Sequence, residues 1–178
     1  MVYLLVHYDK GKIMKNSIAI SIVLGCAFAS QGAYAQSTAT QSVNLTVSTV
    51  YKISTSGNPA ALTVTTGTAG TDALTSVSDN STTYSITQNF GNTVKITANL
   101  DAALQTGYTL NINLASTKGT SAGTVNISNS TSGSALSVVT AINRGADASQ
   151  AIGYTFSALA SAGMLTSTTR TVTLTLTN

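Results

Sequence analysis

The sequence predicts an all-β chain, an antiparallel β-sandwich of about eight or nine short strands. Three observations carry that expectation. Apolar residues recur at every second position in short runs. Clusters of Gly, Asn and Asp separate the runs, and these residues suit tight turns. No long stretch keeps the 3.6-residue apolar period of a helix.

The first segment reads as an address. Residues 17–29 are an apolar run, too short for the roughly 20 residues that span a bilayer. Lys15 precedes the run and Ala33-Tyr34-Ala35 follows it. A positive start, a short apolar stretch and an A-x-A site describe a secretory signal peptide at 14–35, cleaved after Ala35. Residues 1–13 fit that pattern poorly and read as a mis-assigned upstream extension, with Met14 as the start. Val23-Leu24-Gly25-Cys26 loosely resembles a lipoprotein processing site, but Cys26 sits inside the apolar run and is expected to leave with the signal. Residues 36–178 then form one domain.

Within that domain the alternation begins with Val43, Leu45, Val47, Tyr51 and Ile53. Leu62 and Val64 repeat it, as do Tyr84 and Ile86. Val94, Ile96, Ala98 and Leu100 form the next run, then Tyr108, Leu110, Ile112 and Leu114. Val125 and Ile127, Leu136 and Val138, and Ile152, Tyr154 and Phe156 follow, before Val172, Leu174 and Leu176. Each set places one apolar face on a strand. Half-polar strands fit an antiparallel sheet with one solvated face rather than a parallel sheet buried on both. One helical turn is expected, Asp101–Leu104, with Asp101 as its N-cap.

Composition then removes function classes. The whole chain has 8 Lys and Arg against 5 acidic residues, one His and one Cys. Lys10, Lys12, Lys15, Asp9, His7 and Cys26 all precede residue 36. Beyond it Lys52, Lys95, Lys118, Arg144 and Arg170 face Asp72, Asp79, Asp101 and Asp147. No basic patch is available for phosphates, so nucleic acid is not an expected partner. Without His, Cys or Glu the mature chain can build neither a Ser-His-Asp arrangement nor an ordinary zinc site. An S-x-x-K dyad fails as well, because Thr49, Asn92 and Ala115 stand three residues before the lysines. The expectation is a non-enzyme with no cofactor. Asp72 and Asp79 with Asn80 read as turn formers rather than calcium ligands. Arg144 and Asp147 share a loop and could pair. Tyr51, Tyr84, Tyr108 and Tyr154 lie in register with apolar neighbours and read as core.

Ser42-Val43-Asn44-Leu45-Thr46-Val47, the Tyr154-Thr155-Phe156-Ser157 strand and the Thr171–Thr177 ending carry a resemblance. The chain resembles small secreted bacterial immunoglobulin-like surface proteins, and more distantly fimbrial subunits and spore-coat-U-like proteins. That resemblance implies an immunoglobulin-like sandwich with a structural, adhesive or assembly role at the cell surface. The final compartment would be periplasm, cell surface or medium, without membrane insertion after signal cleavage. It also implies self-association, or association with another surface protein, by strand addition, in which an extended segment completes a neighbour's sheet. Residues 36–47 are the candidate donor, through Val43, Leu45 and Val47. The competing expectation makes these residues the first strand of their own sandwich. An alternative function is a secreted ligand-binding module, for example for carbohydrate, with its site in the loops at one end.

Overall fold

The computed structural model describes residues 37–178. The upstream extension, the signal peptide and Cys26 lie outside the described residues. Contacts divide the chain at Asn44/Leu45. Of the first unit, residues 37–44 are described; they are exposed and belong to no strand.

The second unit is all-β. Its strands are β1 (Tyr51–Thr55), β2 (Val77–Gln88), β3 (Val94–Leu100), β4 (Tyr108–Leu114), β5 (Thr120–Ser121), β6 (Val125–Asn126), β7 (Leu136–Ile142), β8 (Gly145–Ala158) and β9 (Val172–Thr177). They form two antiparallel sheets, β1-β2-β8-β4-β6 and β5-β7-β3-β9. Both sheets contribute to one apolar cluster, an arrangement consistent with a sandwich. From β2 onward, every connection carries the chain from one sheet to the other.

The period-2 pattern explains the core. In β3 the side chains of Ile96, Ala98 and Leu100 are completely buried. In β4 Ile112 and Leu114 face them from the other sheet, with Ile127, Val138, Val139, Ile142 and Ile152 filling the space between. β2 and β8 pair along most of their length, interrupted by irregularities between Asp79 and Thr82 and between Tyr84 and Ile86. Ser78 and Thr155, 77 residues apart in sequence, share a hydroxyl hydrogen bond of 2.8 Å on this ladder.

Two sequence expectations are corrected. Residues 101–104 do not form a helical turn: the Asp101 carboxylate accepts the Ala102 and Thr171 N–H groups, tying the end of β3 to the approach of β9. The only helical turns among the described residues are 3-10 turns at Ser132–Ser134 and Ala160–Ala162. Leu62 and Val64 alternate like a strand, yet belong to none; they are half-buried, with Leu62 packed against the core.

Candidate functional site

The segment the sequence singles out is placed on the surface. Val43, Leu45 and Val47 are 72%, 87% and 86% exposed, and residues 37–50 carry no strand pairing. Three of the seven large apolar side chains exposed among the described residues thus fall within five positions. Isolated apolar side chains on a surface are ordinary; three within five positions are a local concentration of exposed apolar surface.

The strand built from this region begins only at Tyr51, and Asn89 determines where. Asn89 follows β2. Its side-chain oxygen accepts the Val50 N–H at 2.6 Å, and its side-chain amide donates to the Ser48 carbonyl at 2.9 Å. Its backbone N–H donates to the Val50 carbonyl at 3.3 Å. Phe90 adds an apolar hold, its ring 5.6 Å from that of Tyr51. Backbone anchoring therefore starts at Ser48. Sequence reasoning joined 43–47 to 51–53 as one alternation; the Asn89 clamp, which breaks it, has no signature in a linear pattern.

The chemistry-bearing side chains are engaged in holding loops. Asp147 is only 3% exposed. Its carboxylate accepts the Ser116 and Thr117 hydroxyls at 2.9 and 2.7 Å. It also accepts the backbone N–H groups of Thr117 and Lys118 at 2.9 and 3.2 Å. Burial works against the charge, but these hydrogen bonds outweigh it and hold the carboxyl below its ordinary range. The partners are thus residues 116–118 rather than the Arg144 suggested by the shared loop. Tyr84 lies nearby and donates its hydroxyl to the Ala115 carbonyl. Burial pushes that hydroxyl up to about 12, with Ser116 opposing the rise and the Asp147 charge adding to it.

The remaining carboxylates do not converge. Asp72 accepts the N–H and hydroxyl of Ser161, each at 2.7 Å. Asp79 accepts the same two groups of Ser81 at 3.1 and 2.8 Å. The turn-former reading is corrected at both positions: Asp72 ties its loop to Ser161, 89 residues away, and Asp79 lies within β2, where an irregularity in the pairing with β8 falls between Asp79 and Thr82. Of the tyrosines, Tyr84, Tyr108 and Tyr154 are buried, and Tyr51 is half-buried against the core.

A concave feature lies on the five-stranded sheet. Asn111 and Asn113 alternate with buried Leu110 and Ile112, so their amides point away from the core. With Ser78, Thr124, Gly153 and Thr155 they line an open groove of about 280 Å³. It lies on a sheet face rather than in the end loops, and its lining is neutral apart from Asp79. No family model, no curated protein and no solved structure matches this chain.

Proposed function

We propose that this chain is a non-enzymatic exported protein with an immunoglobulin-like sandwich. It has a structural, adhesive or assembly role at the bacterial surface, and it self-associates by strand addition. The observation that carries this reading is the exposure of Val43, Leu45 and Val47 on an unpaired segment immediately before the Asn89 clamp. A strand donor needs free main-chain groups and a row of apolar side chains on one side. Burying three such side chains is worth roughly 5–8 kcal/mol before the cost of association is subtracted. The engagement of Asp72, Asp79 and Asp147 in hydrogen bonds that hold the fold supports a role that does not depend on proton transfer.

The test compares the exported protein with a variant lacking residues 37–47, by size-exclusion chromatography and denaturant resistance. The intact protein is expected to form multimers, and the shortened one to run as a monomer. A monomer in both cases removes the reading.

A second reading, a ligand-binding module, is favoured by the amide- and hydroxyl-lined groove around Asn111, Asn113 and Gly153. It predicts a monomer whose binding to neutral oligosaccharides is unaffected by that deletion and is lost in Asn111→Ala.

A further inference from the structure

A donor segment needs an edge to join, and the four edges of the two sheets are unequal. β5 and β6 have two residues each, too short to template a strand. β1 has five, with the charged Lys52 at its second position. β9 has six, Val-Thr-Leu-Thr-Leu-Thr, and pairs only with β3. It contains no charge, no proline and no bulge, the devices that usually protect a sheet edge. Residues 36–47 are likewise uncharged, so donor and edge match in charge.

The core ends unfinished along this edge. Ile96, Ala98 and Leu100 of β3 are completely buried. Their register partners in β9 are Leu176, Leu174 and Val172, all only half-buried. Burial thus falls across a single step from β3 to β9, over three side chains spaced two apart. Val43, Leu45 and Val47 have the same number, spacing and type.

The main chain is available too. The Asp101 N–H donates to the Thr171 carbonyl at 3.0 Å, which identifies 101/171 as a bonded pair of this ladder. Antiparallel alternation then directs the main-chain groups of Thr173, Thr175 and Thr177 toward β3, and those of Val172, Leu174 and Leu176 toward the open side.

We infer that β9 is the acceptor edge, and that its occupant is the Val43–Val47 segment of a second copy of this chain. The inference rests on the strand-addition reading above and names the surface that reading leaves open. Donor and acceptor are different surfaces, so the contact is head-to-tail. It closes by reciprocal exchange into a two-fold dimer or grows into larger rings and open chains.

The experiment uses the exported full chain. Leu174→Pro removes an edge N–H without touching the β3 ladder, a position where proline is tolerated. It should lower self-affinity roughly ten-fold or more while the melting transition stays cooperative. Independently of any effect on folding, Asn44→Cys chains mixed with Thr175→Cys chains should form a disulfide between copies under mild oxidation. Asn44→Cys mixed with Ser54→Cys on β1 should not. Multimers that vanish on deletion of 37–47, yet persist in Leu174→Pro and cross-link through Ser54→Cys, would overturn β9 as the acceptor and leave strand addition standing. Multimers that survive the deletion overturn both.

Discussion

Asn89 grips Val50 from both sides. Its side-chain oxygen takes the Val50 N–H, and its own N–H reaches the Val50 carbonyl. One residue of the β2–β3 connection therefore sets the point at which the polypeptide joins its sheets. Asn89→Ala should cost the domain about 1 kcal/mol, since the bonds are solvent-exposed. Limited proteolysis followed by mass spectrometry checks the finer consequence: cleavage, confined before Ser48 in the parent, should advance toward Tyr51 in the variant.

Asp147 gives the domain an acid-sensitive joint. Its carboxyl is held below the ordinary range in the folded state, so the unfolded chain binds that proton more readily. The stabilisation is complete above the ordinary carboxylate range near pH 4, and it is lost as pH falls through the lower folded value. Urea unfolding at stepwise pH should show stability falling toward pH 3. In Asp147→Asn this part of the slope should disappear, with a loss of about 2–3 kcal/mol at neutral pH.

Tyr84 is the alkaline counterpart. Its hydroxyl sits at about 12 in the folded protein, above its ordinary value. Its contribution is complete below about pH 10 and drains away as pH rises toward the folded value. Tyr84→Phe should flatten that limb, and ultraviolet titration should show one fewer late-ionising tyrosine in the variant than in the parent, with Tyr154, also raised by burial, remaining.

Gly119 is fixed by contact. A Cβ there would stand 2.6 Å from Ile142 Cγ1 and 2.7 Å from the Thr140 carbonyl oxygen. Backbone cannot yield as a side-chain tip can, so Gly119→Ala should cost about 1–3 kcal/mol. Gly133, with nothing within 4 Å of the same construction, is the matched control. Its alanine variant should stay within about 0.5 kcal/mol of the parent in chemical denaturation.

The row from β3 to β9 predicts a gradient of truncation costs. Ile96→Ala, at a completely buried site, should lose about 2–5 kcal/mol. Leu176→Ala, its half-buried register partner, should lose clearly less when measured at concentrations where the protein is monomeric. Equal losses would mean that β9 is as well covered as β3.

The strands were legible wherever alternation and burial coincide. Val94–Leu100, Tyr108–Leu114 and Val172–Leu176 read directly from sequence, because each apolar set faces the shared core. Leu62 and Val64 show the limit: periodicity reports which side chains share a face, but not whether a neighbouring backbone is present to pair with. Leu136 and Val138 show another. The register between β3 and β7 shifts between Ile96 and Thr97, leaving Leu136 exposed while adjacent Val138 and Val139 are both buried. The Asp147 joint was hidden for a different reason. Its partners lie 29 to 31 positions away, and neutral hydroxyls and amides leave no mark in a charge pattern. The apolar run at 43–47 was visible from the start, whereas its separation from β1 depends on Asn89.

The Ser78–Thr155 bond lies on a ladder whose two strands are separated by most of the domain. Such a closure costs chain entropy long before neighbouring pairs repay it, and β-rich domains of this type mature in roughly milliseconds to seconds. Because β8 lies between β2 and β4, the five-stranded layer cannot assemble until the chain has been synthesised through β8.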